Sequence, residues 1–527
     1  MRYFVFTGGH TMKKIAKITG VFLAALMAFM CLMLPASAAG EGNLTITVYD
    51  DFAVVTDCMT SASGVIDIPS TYNGATVTHI GNYAFSGCTK ITEVNIPASV
   101  IDVGNNAFDG CDSLGKVTFA GQTATIDPAT FVNCPLLKSV TLPQKLTVIP
   151  ERMFYGCSSL ESIDIPSTVT AIGKEAFGLC KKISDVNIPA SATSIGKNAF
   201  IGCSSVSAYN VASGNTIYKS VDGVLYGQYE SKYALIQYPN AKTNTTCTVA
   251  SGTKIIADYA FGDNAYLTKI TLPSGLEKLD NFAFYNCKKL SEIVIPSSVT
   301  VLGSQSFGRC TALKNITIPA NVDTFESAFY MSGLENVVIS NGVDSIGQKA
   351  FENCTSLRNV TIPASVKTIG IGAFYGCTAL ETLSIPSTVT TISRGAFQEC
   401  ENITLYVDKD SAAHTYAVNN SIDFKINGVD TPKTVRSISV LDLPAKTSYN
   451  YKDTLDTTGL KIIVNYTDGS SETVTSGYEV TPTYFDKTGT HNITVTYGGC
   501  ETDFSVNVSY SLIQWIIMIF LLGFLWY

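Results

Sequence analysis

Charged residues are scarce in this sequence, and its lysines and arginines do not form runs. Only 15% of the 527 residues are charged, and the formal net charge is -8. Nucleic-acid binding calls for a basic stripe on one face of a domain. The composition therefore argues against a nucleic-acid partner. The abundance of Gly, Thr, Ser, Val and Ile is instead typical of a β-rich extracellular chain.

Motifs for metal binding and catalysis are also missing. None of the 15 cysteines forms a C-x-x-C pair, and the four histidines are scattered along the chain. The signatures G-x-S-x-G, H-E-x-x-H and G-x-x-x-x-G-K-[ST] are absent. We therefore expect no catalytic residue, no metal and no cofactor, and we interpret the protein as non-enzymatic.

The N-terminus has the pattern of a secretory signal. Three lysines precede an apolar run from Val21 to Leu34, and Ala36-Ser37-Ala38 supplies small residues for cleavage. This order predicts a signal peptide at residues 1–38. Met12 offers an alternative start, and a membrane-spanning helix is the less favoured interpretation.

The C-terminal segment 510–527 is apolar, contains no charged residue, and ends in Trp526 and Tyr527. As a helix, its 17 residues from Ser511 to Tyr527 would reach ~25 Å, slightly less than a ~30 Å hydrocarbon core. We predict a membrane anchor, with a terminal strand of the preceding domain as the alternative.

One frame recurs through the middle of the chain. Each unit has a Phe three residues before a Cys, and most units follow one another at 23 residues. The frame contains Cys88, Cys111, Cys134, Cys157, Cys180, Cys203, Cys287, Cys310, Cys354, Cys377 and Cys400. Units at Phe261 and Phe329 keep the Phe without the Cys, which makes 13 units. A fixed period of 20–29 residues predicts a leucine-rich-repeat solenoid.

Each unit predicts one coil. Val94 and Ile96 alternate with polar neighbours, which is strand periodicity. Pro97 ends the strand, and Gly104 predicts a tight turn on the far side. A coil cannot bury its apolar face alone, so stacked coils share a continuous core.

The full frame resembles a known family. C-x-x-[IL]-x-x-[VI]-x-[IL]-P-x-x-[VL]-x-x-[IL]-G-x-x-A-F, over about residues 65–405, is similar to that of BspA-like, treponemal-type leucine-rich-repeat surface proteins. Residues 435–508, with short alternating runs such as GLKIIVNY, resemble a bacterial immunoglobulin-like domain. The predicted fold is mainly β: a right-handed solenoid of about 13 coils, followed by an immunoglobulin-like β-sandwich. The resemblance implies a bacterial surface protein that adheres to host matrix or to other cells.

We predict six segments along the chain. They are a signal peptide (1–38), an N-terminal cap with the first strand (39–80), the solenoid (81–405, with a hairpin insertion at about 207–245), a C-terminal cap and linker (406–434), the immunoglobulin-like domain (435–509) and the hydrophobic membrane-anchor segment (510–527).

The eleven cysteines of the frame allow three interpretations. A metal or redox array would need converging ligands, which the sequence lacks. Disulfides between coils would suffer from parallel Cβ vectors and poor torsions. A row of buried, reduced thiols that packs beneath each Phe fits best, since free Cys is among the most buried residue types.

Two surfaces are candidates for ligand binding. The outward strand positions Thr118, Thr141, Asp164 and Asn187 form a flat, weakly polar face, although such residues are also simply good strand formers. The hairpin insertion, with its turn at Asp222-Gly223, crowds several tyrosines together, and exposed Tyr can anchor a partner. These tyrosines are Tyr218, Tyr226, Tyr229 and Tyr233. A hairpin that packs on itself as a spacer is the slightly favoured alternative.

We therefore predict a monomeric adhesin-like binding protein, secreted across the bacterial membrane and held at the cell surface. Its partners would be an extracellular protein or glycan, with the membrane contacted through the C-terminal segment. The alternative is a structural or accessory spacer module that binds polysaccharide.

Overall fold

The computed structural model describes residues 38–523, except Thr123, Thr324, 428–433 and Asp468. The predicted signal peptide, up to residue 37, lies outside the described residues. The chain divides into two compact units. The first unit contains residues 1–204 and 212–215, and the second contains residues 205–211 and 216–527.

The described residues of the first unit form strands and turns. The strands are β1 (Ala38–Glu41), β2 (Leu44–Val48), β3 (Phe52–Cys58), β4 (Ser63–Asp67), β5 (Thr71–Tyr72), β6 (Ala75–Ile80), β7 (Lys90–Ile96), β8 (Asp102–Val103), β9 (Lys116–Phe119), β10 (Thr125–Ile126), β11 (Ser139–Thr141), β12 (Val148–Ile149), β13 (Ala171–Ile172), β14 (Asp185–Ile188) and β15 (Ser194–Ile195).

The solenoid part of the second unit continues the same architecture. Its elements are β16 (Ala208–Val211), β17 (Tyr218–Val221), β18 (Val224–Tyr229), β19 (Lys232–Gln237), β20 (Thr246–Thr248), β21 (Ile255–Ile256), β22 (Lys269–Thr271), β23 (Lys278–Leu279), β24 (Glu292–Ile293), β25 (Val301–Leu302), β26 (Asn315–Ile318), β27 (Asn336–Ile339), β28 (Ser345–Ile346), β29 (Asn359–Thr361), β30 (Thr368–Ile369), β31 (Thr382–Ile385), β32 (Thr391–Ile392), β33 (Thr404–Val407), α1 (Ala412–Asn419) and β34 (Asp423–Ile426).

Most coils contribute one longer and one shorter strand to two parallel ladders. In the long-strand ladder Val94 pairs with Val117, and Val117 pairs with Val140, in steps of one repeat. In the short-strand ladder Ile80 pairs with Val103, which pairs with Ile126. These apolar residues are buried. The alternation of apolar and polar residues that predicted these strands therefore directs the apolar side of each ladder into a continuous core.

The Phe of each coil stacks on the Phe of the next coil. Ring centroids lie 4.7–5.7 Å apart from Phe85 to Phe200 in the first unit. In the second unit the row begins at Tyr238, 5.1 Å from Phe261, and continues to Phe397. Offset aromatic stacking of this kind adds to the burial of apolar area.

Gly104 has a different role from the one that the sequence suggested. Its φ is not positive, so it does not supply a left-handed turn. A Cβ at Gly104 would instead lie 2.7 Å from the Asn82 backbone nitrogen, and one at Gly173 would lie 2.4 Å from that of Glu151. These glycines allow the backbones of successive coils to approach closely.

The two units together contain about 16 turns of solenoid, compared with the 13 units that carry the Phe. The additional turns lack the Phe-Cys frame. Parallel pairing already joins β3 to β6 before the first Phe, β19 to β21 around Tyr238, and β33 to β34 after Cys400. Helix α1 lies at this last turn, where the Tyr416 ring is 6.0 Å from that of Phe397. The predicted fold class is confirmed.

The C-terminal region forms two small sheets. Its elements are β35 (Val435–Asp442), β36 (Ser448–Asn450), β37 (Lys461–Tyr466), β38 (Ser471–Val474), β39 (Glu479–Thr481), β40 (Gly489–Tyr497), β41 (Cys500–Ser509) and α2 (Leu512–Gly523). One sheet has the order β35-β37-β38, and the other has the order β36-β41-β40-β39. Both surround a separate core that includes Ile462, Phe485 and Ile493.

Helix α2 lies within the predicted anchor segment 510–527, of which residues 524–527 are outside the described part. Within residues 38–523, apart from the gaps named above, no helix combines the length and the apolar character needed to cross a bilayer. The membrane anchor stays a prediction.

Candidate functional site

The cysteines of the frame lie in one buried row along each unit, and each has a hydrogen-bond acceptor. The Cys157 thiol donates to the Phe131 carbonyl at 3.1 Å, and Cys180 donates to Phe154 at 3.2 Å. Burial raises the pKa of the Cys203 and Cys310 thiols to about 12. All the cysteines of the described residues are free in the structure. These thiols are therefore neutral packing groups, which are poor nucleophiles.

Two coils show what replaces the cysteine. Asn264 occupies the cysteine position after Phe261, and its Oδ1 accepts from the backbone nitrogens of Tyr266 and Leu267 at 3.0 and 2.9 Å. Ser332 takes this position in the shortened coil, and its Oγ lies 3.3 Å from the Cys354 Sγ. A small polar group thus suffices to close the turn.

The row of cysteines also extends one coil towards the N-terminus, because the Cys88 thiol lies 3.4 Å from the carbonyl of the buried Cys58.

The predicted strand face is largely exposed in the first unit. Thr141, Asp164 and Asn187 are exposed, whereas Thr118 is half-buried and its Oγ1 is buried. Thr118 pairs directly with Asn95 and Thr141 in the parallel ladder. Asp164 lies in a segment, residues 161–166, that forms no strand. The use of this face for ligand binding stays a prediction.

The tyrosines of the hairpin insertion are not exposed anchors. Tyr218 and Tyr226 are buried, and the Tyr226 hydroxyl accepts from the Ala250 backbone nitrogen at 3.2 Å. Tyr229 and Tyr233 are half-buried and pack against the core of the second unit. The assignment of Tyr218 and Tyr226 to a binding surface is therefore wrong. The insertion forms the antiparallel strands β17-β18-β19, and β19 then joins the short-strand ladder, which draws these rings into the core.

A small cleft of about 250 Å³ lies beside this insertion. It is lined by Glu230, Lys232, Ile255, Glu277, Lys278, Thr300 and Val301. Its charges are paired: Lys278 contacts Glu230 at 2.9 Å, and Lys232 contacts Glu277. The described residues contain no group of three or more potential metal ligands. The cleft thus offers an ion-pair network without a recognisable catalytic arrangement.

The C-terminal region covers part of the strand face of the second unit. Arg436 contacts Glu381 and Thr382, and Ser471 Oγ lies 3.2 Å from Thr361 Oγ1. The Tyr406 hydroxyl donates to the Thr467 carbonyl. These contacts involve the outward positions of the last long strands. The sequence did not reveal them, because they join segments without a shared period.

The solenoid and the C-terminal region each match a model of a known protein family. Residues 74–218, 237–328 and 325–440 match the family model described as BspA type leucine rich repeat region, and residues 442–508 match bacterial Ig-like domain (group 3). No curated protein was found to be similar.

Solved structures of bacterial repeat proteins are similar to this chain. A leucine-rich repeat protein from Eubacterium ventriosum is 29% identical, with a TM-score of 0.55 over 68% of this chain and 93% of its own. A leucine rich cell surface protein from Faecalibacterium prausnitzii is 27% identical, with a TM-score of 0.49 over 72% and 97%. The predicted resemblance is confirmed: the chain belongs to the BspA type leucine-rich-repeat family and carries a C-terminal bacterial immunoglobulin-like domain.

Proposed function

We propose that the protein is a non-enzymatic, adhesin-like binding protein, displayed at the bacterial surface, whose solenoid attaches to an extracellular macromolecule. The observation that carries the proposal is the exposed strand face of the first unit around Thr141, Asp164 and Asn187. Repeat solenoids use such extended surfaces, where affinity is spread over neighbouring coils. The predicted signal peptide and anchor segment support display outside the cell.

A matched pair of variants tests this face. Thr141→Lys with Ser162→Lys adds two charges to exposed positions on the long-strand side, and Thr125→Lys with Val148→Lys adds two on the short-strand side. The full chain would be screened against collagen, laminin, fibronectin, mucin, bacterial cells and a glycan array. We expect a binding partner whose affinity falls at least tenfold only in the long-strand variant. Binding to none of these probes, or equal loss in both variants, would contradict the proposal.

A further inference from the structure

Helix α2 is apolar around its whole circumference. Apart from the Trp515 indole nitrogen, only Gln514 carries a polar group among residues 512–523. Seven of its apolar side chains are exposed: Leu512, Ile513, Trp515, Ile516, Ile517, Ile519 and Phe520. A helix that docks on one protein surface buries a stripe and keeps the opposite side polar, whereas a helix that is apolar all round needs apolar surroundings on every side. This pattern indicates lipid around α2.

The first turn of α2 is tied to the immunoglobulin-like domain by one side chain. The Gln514 amide nitrogen donates to the Tyr451 carbonyl at 2.8 Å. Oε1 of the same amide accepts from the Ser511 backbone nitrogen at 2.9 Å, and the Ser511 hydroxyl accepts from the Gln514 backbone nitrogen at 3.2 Å. This exchange is a capping box, which begins the helix. Gln514 therefore caps α2 and also holds it at the end of strands β36 and β41.

Aromatic rings surround the point where α2 leaves the domain. The Tyr510 ring centroid lies 5.3 Å from that of Tyr451 and 5.8 Å from that of Trp515. The ammonium of the exposed Lys452 lies 5.6 Å from the centre of the Tyr451 ring. We call these four residues the domain tip. Tyr and Trp are enriched where a protein passes from water into lipid, and a lysine at that level complements the phosphates of the headgroups.

We infer that the domain tip rests on a lipid bilayer, with α2 in the hydrocarbon and the tip residues in the headgroup layer. The inference rests on the proposed surface display and its predicted membrane anchor, and it goes further because it makes the folded domain part of the membrane contact. The Gln514 bond restrains the domain against swinging away from the bilayer. A second copy of this chain packed on α2 would cover only one side of the helix, and the test separates it from lipid.

Quenching of tryptophan fluorescence by lipids brominated near the headgroup tests this contact. The sequence contains two tryptophans, Trp515 and Trp526. The full chain, without its predicted signal peptide, would be inserted into vesicles of phosphatidylcholine and phosphatidylglycerol that contain the brominated lipid. In Trp526→Phe, the fluorescence of Trp515 should be quenched. With both tryptophans replaced by Phe, the tryptophan introduced by Tyr451→Trp or by Tyr510→Trp should be quenched as well.

The matched control is Tyr497→Trp in the background without other tryptophans. Tyr497 is half-buried in the same domain, at the turn between β40 and β41. The ten residues of β41 separate this turn from the domain tip, a distance of about 30 Å. The control should therefore not be quenched. The unfolding midpoint checks that each variant is folded.

A further variant tests whether the domain is held in place. Gln514→Leu keeps α2 apolar and removes the bond to the Tyr451 carbonyl. Combined with Tyr510→Trp in the background without other tryptophans, it should at least halve the quenching, because the tip then leaves the bilayer more often. Combined with Trp526→Phe, it should leave the quenching of Trp515 unchanged.

Three results would overturn the inference. Quenching of Trp515 without quenching at positions 451 and 510 would make α2 a flexible tether. Equal quenching of the Tyr497→Trp control would show a contact that is not confined to the tip. A chain that does not associate with vesicles would exclude lipid, and dimers disrupted by Ile516→Asn would then assign α2 to a second copy. None of these results depends on whether the solenoid binds a macromolecule, so failure here is distinct from failure of the proposed function.

Discussion

The Phe-Cys turn and the strand face belong to the same coils, yet they differ in how much they vary. In the turn, the distance between the thiol and the phenylalanine carbonyl stays at 3.0–3.2 Å in ten coils of the two units. On the strand face, an ion pair joins Glu93 to Lys116 in one place, and an amide ladder joins Asn315, Asn336 and Asn359 in another. The interior thus sets the shape of the coil, and the exterior is free to differ.

Removal of one ring from the interior row should have the largest effect. Phe154 is fully buried between Phe131 and Phe177, with centroids 5.6 and 5.4 Å away. Phe154→Ala should lower the free energy of unfolding by about 3–5 kcal/mol, because it leaves a cavity in a close-packed core. Chemical denaturation measures this loss. A cost below about 1 kcal/mol would mean that the row is not close-packed.

Loss of one thiol should have a smaller effect. Cys157→Ser keeps a donor for the Phe131 carbonyl but places a more polar group in an apolar row, so we expect a cost of about 1–3 kcal/mol. The same denaturation experiment compares it with Phe154→Ala. A bridge such as Cys88–Cys111, detected by mass spectrometry, would disprove the reduced row.

Alkaline pH should lower the stability of the fold, because the buried thiols ionise more readily in the unfolded chain than in the folded chain. The pKa of Cys203 and of Cys310 is raised from 9 to about 12 by burial, so the folded state retains protons that the unfolded state loses above pH 9. The contribution of these thiols to stability is therefore constant below pH 9 and falls between pH 9 and 12, by about 1.4 kcal/mol per pH unit for each such thiol.

The measurement is the denaturation midpoint from pH 8 to 11, for the wild type and for Cys203→Ser. The substitution should flatten the decline. Iodoacetamide at pH 8 should label the thiols of the unfolded chain and spare those of the folded chain. An equal slope in both proteins would show that the thiols do not titrate on unfolding.

The sequence predicted the interior better than the exterior, for a physical reason. The period reveals residues that repeat, so the repeat alone assigned Phe154 and Cys157 to the core. Tyr226 could not be assigned in this way, because the insertion breaks the frame, although Tyr238 lies 23 residues before Phe261 and continues the stacked row. Contacts such as Arg436 with Glu381 depend on how a separate domain packs, which no local pattern encodes.

A surface ion pair should have the smallest effect on stability. Lys116 and Glu93 lie 2.8 Å apart on the strand face, and the lysine is half exposed. Lys116→Thr, which copies the polar residues elsewhere on the face, should change the free energy of unfolding by about 0–1 kcal/mol. Thermal unfolding at low and high salt measures this. A larger loss would show that the face also supports the fold.

The most direct test of the account compares two variants in two measurements. Thr141→Lys with Ser162→Lys changes only the exterior of the first unit, and Cys157→Ser changes only its interior. Binding to whichever probe captures the full chain, and the unfolding midpoint, would be measured for both. We predict that the exterior variant keeps the midpoint and loses at least tenfold in affinity, while the interior variant loses stability and still binds at a temperature where it is folded. Undiminished binding by the exterior variant would contradict the account.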